Sequence, residues 1–179
     1  PIRLAVSPRF VVVASLVGAH GEAVKLEGAD LSRARLDGAL LERANLLDAS
    51  LEEASLVRAN LTGAYVRGTK WSRATLEEVV LDAIDAARAD LRGVVAVRCS
   101  LRGANLERAD LRGAVLAACD LSGARLAEAD LDSADLAEVV AEGADFSGAC
   151  LAAVRLDRAE LTQAVLAGAD LSAASLYLA

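Results

Sequence analysis

From Leu26 to Leu176 an inward-type apolar residue recurs at every fifth position, and 25 of these 31 positions are Leu. The others are Val66, Trp71, Ala86, Ala96, Ala141 and Phe146. Two residues before each lies a second column, Val24 to Ala174, in which 22 of 31 residues are Ala. A helix carries a five-residue step about 140° around its axis, so the Leu column would spiral over every face. A flat strand alternates sides, so an odd step would send every second Leu into water. A chain that bends sharply once per five residues restores the inward direction at each bend. The pattern therefore predicts a coiled solenoid with short β-like sides.

Glycine marks the bends. Of 13 glycines, 11 between Gly28 and Gly168 lie two residues after the Leu column, where a corner needing positive φ selects Gly. Arg33, Glu53 and Arg58 share that column, which predicts that some corners use a turn type tolerant of side chains. The phase never slips after about residue 22, so residues 22–179 are expected to form one repeat domain. Residues 1–21 are expected to lead into it as an N-terminal strand or cap. FVVVASLVGA (10–19), preceded by Arg3 and Arg9, also has the outline of a short leader. The phase running through Val6, Val11 and Leu16 favours the cap. A chain that begins at Pro1 without Met is further read as a processed or excised piece of something longer.

Ala-Asp or Ala-Asn followed by Leu occurs at 29–31, 44–46, 59–61, 89–91, 104–106, 109–111, 129–131, 134–136 and 169–171. This resembles the A-(D/N)-L-x-x signature of the pentapeptide-repeat family over residues 22 to 178. The resemblance implies an all-β, right-handed quadrilateral β-helix with four pentapeptides per coil, Leu and Ala inward, and about eight coils. At a strand spacing near 4.8 Å the rod is roughly 35–40 Å long.

The two inward columns share one volume. The three Ala residues of the Leu column are each preceded, two positions earlier, by a β-branched residue: Ile84 with Ala86, Val94 with Ala96, and Val139 with Ala141. Close-packed interiors refill lost volume nearby. Trp71 has no such compensation from Thr69, which predicts a local bulge or a thinned neighbouring layer.

Composition narrows function more than it defines it. Hydrophobic residues reach 55% with only 3% aromatics, as repetition of small aliphatics requires. A net charge of −7 argues against direct nucleic-acid binding. No apolar run is long enough for a membrane helix, and a cytoplasmic location is expected over an exported one.

Chemistry-bearing groups are sparse. His20 is the only histidine and has no evident partner. Cys99 and Cys119 are both inward and 20 residues apart, so they stack as buried thiols in preference to a disulfide. Cys150 points outward. Asp90, Asp110 and Asp130 form one vertical stack dictated by the repeat, with Arg92 and Arg112 placed to pair with it. Nothing resembles a catalytic constellation, a cofactor motif or a metal site. A non-enzyme without cofactors is expected.

The outward positions supply the candidates. Residues 88–112 carry six Arg against Asp90, Glu107 and Asp110. Residues 126–154 carry Glu128, Asp130, Asp132, Asp135, Glu138, Glu142 and Asp145 with no Lys or Arg, an acidic belt. Val95 and Val115 stack in adjacent coils beside Val97, Ala117 and Ala118, a candidate contact surface. Tyr177 and Leu178 are outward in the last coil and are candidates for end-to-end self-association. The first functional expectation is a protein–protein interaction scaffold, alone or within a larger protein. The second is a topoisomerase-protection factor, because some members of the resembling family mimic DNA, bind gyrase and confer quinolone resistance.

Overall fold

A computed structural model describes residues 15–21 and 23–179. The chain is a right-handed quadrilateral β-helix of about eight coils. Parallel bridges link each side to the next at a spacing of 20 residues, from Ser15↔Arg35 to Arg155↔Ser175. Leu and Ala columns line a single core from Leu16 to Ala159, nearly all of it excluded from solvent. The expectation for residues 1–14 lies outside the described residues. Within 15–21 the coil geometry is already present, since Ser15 and His20 bridge to Arg35 and Leu40 while Leu16 and Ala19 are buried.

The five-residue step follows from where each backbone N–H goes. Leu31 donates to Ser50 of the next coil (2.7 Å), and Arg33 donates to Glu52 (2.8 Å). Ala34 closes the corner by donating to Leu31 (3.0 Å), and Ser50 donates back to Ala29 (2.9 Å). That leaves one N–H per repeat, at the residue after Leu. In many repeats the Asp or Asn before Leu accepts it, as Asp30 Oδ1 does from Ser32 (3.0 Å) and Asn60 Oδ1 from Thr62 (3.0 Å). The A-(D/N)-L signature is thus a hydrogen-bonding requirement as well as a packing one.

At Ser55, Ser100 and Ser175, where Ser replaces Asp or Asn, a carboxylate from the coil below does the same work. Asp37 Oδ1 accepts from Ser55 Oγ (2.5 Å) and from the Val57 N–H (3.1 Å). Asp82 serves Ser100 and Arg102 in the same way, and Asp157 serves Ser175 and Tyr177.

The corners correct one expectation. The third turn residue has positive φ throughout, 51–72°, whether it is Gly28 and Gly168 or Arg33, Glu53 and Arg58. No separate turn type serves the side-chain-bearing corners. The left-handed region costs an L residue roughly 1–2 kcal/mol, and the cross-coil bond from that same N–H offsets it.

Bulk in the Ala column loosens the corner. The closing bond measures 2.8–3.1 Å at the alanines from Ala19 to Ala174, but 3.4 Å at Ile84, 3.3 Å at Val139 and 3.2 Å at Val154, while Val94 stays at 3.1 Å. At Val79 and Cys99 the corner opens fully. Three consecutive residues then pair, giving β1 (Thr75–Glu77) and β2 (Val95–Val97), parallel and in register.

Trp71 is accommodated by a thinned layer. Its ring is buried, and its Nε1–H donates to Thr69 Oγ1 (2.5 Å), whose hydroxyl donates to the Val66 carbonyl. The coil above places Ala86 and Ala96 against it. Together with Val66 and Leu76 these residues line an apolar cavity of about 20 Å³.

Candidate interaction surface

The sides of the rod are distinguished by what sits outside the corners. One side carries the column Ser55, Thr75, Val95, Val115, Asp135, and in its two middle coils the polar groups disappear. Gly93, Val95 and Val97 form one row, and Gly113, Val115, Ala117 and Ala118 the next. Val95 is 42% exposed, and an added Cβ at either glycine would meet open space. Only Arg98 is charged here, and it is drawn down to Glu77 and Glu78. Above the patch, Arg155 holds Asp135 through two bonds (2.9 and 2.5 Å). The strands β1 and β2 lie on this same side.

The acidic belt is partly neutralised by neighbouring coils. Arg108 reaches up to Glu128 with two bonds (2.8 and 3.1 Å), and Arg112 approaches Asp130 (3.5 Å). From above, Arg155 holds Asp135, and Arg158 lies 3.6 Å from Glu138. Asp145 spends an oxygen on the Ser147 N–H (2.9 Å), and the Ser147 hydroxyl with that N–H holds its carboxyl below the usual range. Asp132 accepts from Ser133 Oγ (3.4 Å), and Glu142 is exposed. The belt residues lie at one level of the rod, with their charge shared across the coils above and below.

The Asp90–Asp110–Asp130 stack is built as the repeat dictates. Arg92 grips Asp90 (2.8 and 2.7 Å) and Arg112 grips Asp110 (2.9 and 2.6 Å), each leaning on the next carboxylate at 3.6 and 3.5 Å. The guanidinium of Arg92 holds the Asp90 carboxyl below its ordinary range, and Arg112 does so for Asp110. Both carboxylates are committed to structure.

Cys99 and Cys119 are buried free thiols. Their role is local: Cys99 Sγ donates to the Leu76 carbonyl (3.1 Å) and Cys119 Sγ to the Ala96 carbonyl (3.2 Å). These are the acceptors released by the two opened corners. The hydrogen bond with Cys99, with burial, pushes the Cys119 thiol up. His20 is exposed in the bridge column, Cys150 is half-buried between Asp130 and Asp170, and Tyr177 and Leu178 are each 68% exposed.

One feature was not read from sequence: a groove of about 310 Å³ lined by Arg67, Ala87, Arg88, Asn105, Glu107 and Arg108. Its signal is Ala87, a small residue stacked 20 positions from both Arg67 and Glu107. Arg67 binds Asp85 (2.8 Å), Arg108 binds Glu128, and Glu107 binds Arg125. Among the described residues no group of three or more metal-ligating side chains converges, and no helix is long and apolar enough to cross a membrane.

These features define a β-solenoid whose inward residues are spent on packing and whose outward residues are free to vary side by side. The chain belongs to the pentapeptide-repeat family: the pentapeptide-repeats model matches residues 14–58, 59–95, 81–117, 119–158 and 142–179. It is similar to HetL, a pentapeptide-repeat protein involved in heterocyst differentiation regulation from the cyanobacterium Nostoc sp. Strain PCC 7120. Identity is 28% and the TM-score 0.65, over 91% of this chain and 87% of that one. It also resembles full-length QnrB1, a plasmid-mediated fluoroquinolone resistance protein, at 23% identity and TM-score 0.53, over 88% of this chain and 93% of that one. No curated protein matches.

Proposed function

We propose that this chain is a non-enzymatic protein-interaction scaffold whose docking face is the side carrying Val95, Val97 and Val115, presented by residues 22–179 acting as one domain. The observation that supports this most is the pair of stacked rows 93–98 and 113–118 at mid-rod, charged only at Arg98 and presenting the exposed Val95. Similarity to a protein involved in regulating differentiation fits a regulatory role. Carboxylates and arginines that could serve chemistry are instead engaged in capping N–H groups and bridging coils, which favours a binding role over catalysis. Val95→Lys with Val115→Lys places two charges on the face without touching the core. A true partner loses affinity while the melting profile stays unchanged, and equal binding by both forms rules this face out.

The gyrase-protection reading draws less support. Likeness to QnrB1 at this identity speaks to fold alone, and Arg108, Arg112, Arg155 and Arg158 offset much of the belt. A gyrase supercoiling assay decides it: rescue from a quinolone that disappears when Glu128, Glu138 and Glu142 are changed to Gln would restore this reading. End-to-end association through Tyr177 and Leu178 is a separate proposal, tested by Tyr177→Ser with Leu178→Ser in sedimentation. An unchanged assembly state removes it.

A further inference from the structure

Among the described residues, the charges at the positive-φ corner position obey one rule with one exception. Where two neighbouring coils are both charged there, the signs alternate: Arg33, Glu53 and Arg73; Arg58, Glu78 and Arg98; Arg108 and Glu128; Glu138 and Arg158. All six vertical neighbours in these runs are ion-paired, at 2.8–3.6 Å. The exception is Arg88 beneath Arg108, two like charges stacked 20 residues apart. Like charges on facing positions of adjacent strands are destabilising. Holding the rod together does not account for this pair.

Arg88 finds no partner in either direction. Above it, the Arg108 guanidinium is taken by both oxygens of Glu128 (2.8 and 3.1 Å), and the charge of Arg88 reaches that carboxylate only at a distance. Below it stands Gly68, and the next carboxylate of the column, Asp48, is two coils away. The groove of about 310 Å³ opens at this corner, because Ala87 supplies no bulk between Arg67 and Glu107. Those two turn away from the gap, Arg67 to Asp85 (2.8 Å) and Glu107 to Arg125. With Arg108 on Glu128, the Arg88 guanidinium is the one unmatched charge lining the groove. Asn105, also in the lining, gives one amide hydrogen to Asp85 (3.0 Å) and has a second to offer.

We propose that this groove binds a glutamate side chain from an acidic segment of a protein partner, its carboxylate held by Arg88. The incoming group takes the place that the chain's own Glu53, Glu78, Glu128 and Glu138 take beside the other corner arginines, all of them Glu and none Asp. A guanidinium fork matches the planar carboxylate with two parallel bonds. One unmatched positive charge calls for a monoanion, whereas a phosphate group would bring nearly two negative charges to a rod of net charge −7. Arg88 and Val95 belong to the same coil, separated by the side carrying Asp90 and Arg92. The site therefore adds a charged anchor beside the apolar face, and it rests on the scaffold reading only in assigning the ligand to a protein.

The test is a fluorescence-anisotropy titration at low salt with a labelled peptide of alternating Glu and Gly, its termini blocked, beside its Gln-for-Glu counterpart. The Glu peptide should bind at least about tenfold more tightly, and the preference should shrink as salt rises. Arg88→Glu should abolish the preference without lowering the melting temperature, since it restores alternation with Arg108. Arg88→Gln should abolish it as well. Glu128 and Gln163 already occupy this corner position at positive φ, so the backbone accepts both substitutions. Arg33→Gln changes net charge by the same amount inside a completed ladder and should keep the preference. A wild type that does not prefer the Glu peptide, equal losses in Arg88→Gln and Arg33→Gln, or tighter binding of inorganic phosphate than of the Glu peptide overturns the proposal. Val95→Lys with Val115→Lys leaves this corner intact, so the apolar docking face stands or falls by a separate measurement.

Discussion

The coils lined by Leu26 to Leu61 and those lined by Val66 to Leu101 share one period and one backbone path, yet their interiors are filled differently. In the first stretch the Leu column is unbroken and the closing bonds stay at 2.9–3.0 Å. In the second, Trp71 sits beneath Ala86 and Ala96, Ile84 and Val94 restore bulk from the neighbouring column, and two corners open around Val79 and Cys99. The corner hydrogen bonds fix the coil, while the core requires only that volume be conserved across adjacent inward positions. Uniformity is one solution. The Trp71 region is another, and its two short strands lie on the side on which Val95 is presented.

The strongest way to break this comparison is to remove the ring. Trp71→Ala should cost about 3–5 kcal/mol in denaturant unfolding, because the thinned layer above cannot collapse into the space. Trp71→Leu with Ala96→Leu should recover most of that loss by converting the stretch toward the uniform solution. If the double substitution is as unstable as Trp71→Ala, volume exchange between layers is the wrong account of this region.

A second route imposes the irregular solution on the regular coils. Leu46→Ala should cost about 2–5 kcal/mol, and Ala44→Ile about 1–3 kcal/mol through overpacking of a closed corner. Together they recreate the arrangement of Ile84 and Ala86. The double variant should therefore fall short of the summed losses by about 0.5–3 kcal/mol, measured as a double-mutant cycle. Strict additivity would show that the natural pairs are not compensating.

Much of this was legible in advance, and the boundary has a physical cause. The inward columns, the stacked Cys99 and Cys119, and the pairing of Arg92 and Arg112 with the Asp stack all follow from a residue's remainder on division by five or twenty, whereas the choice between a bulge and a thinned layer at Trp71 does not. What escaped depends on contacts between coils that linear windows do not join. Summing charge over 126–154 overlooks Arg108, Arg112, Arg155 and Arg158, each 20 or fewer residues from its carboxylate and all outside the window. The rescue of Ser55 and Val57 by Asp37 is equally invisible until the chain is wrapped. Arg33 and Glu53 at positive φ defeated propensity reasoning, because the cross-coil bond outweighs the side chain's preference.

Capping carboxylates distribute a smaller effect over both regions. The hydroxyl and N–H of Ser32 hold the Asp30 carboxyl below its ordinary value, and the guanidinium of Arg92 does the same for Asp90. A depressed folded-state pKa contributes stability that is complete above the unfolded value and is lost as pH falls through the folded one. Stability should therefore be flat above the ordinary carboxylate range near pH 4 and decline progressively below it. Asn60 caps Thr62 without titrating. Asn60→Ala should cost about 1 kcal/mol at any pH, and Asn60→Asp should retain the cap at neutral pH but add to the acid sensitivity. Thermal melts across pH distinguish these, and an Asn60→Ala loss that shrinks at low pH would contradict the assignment.

The least consequential contacts for stability are the exposed ladders, and their weakness is informative. Glu53 lies between Arg33 of the uniform coils and Arg73 of the irregular ones, so it spans the two regions compared above. Its side chain is 38% exposed and those of its partners more than 70%, so water and salt screen both pairs. Glu53→Gln should cost about 0–1 kcal/mol, with the difference vanishing in high salt. A larger loss would mean that the ladder stiffens the junction between the two packing solutions. With the expected small loss, alternating charge along that corner has little to do with holding the rod together, and the backbone ladder and the inward columns carry that task.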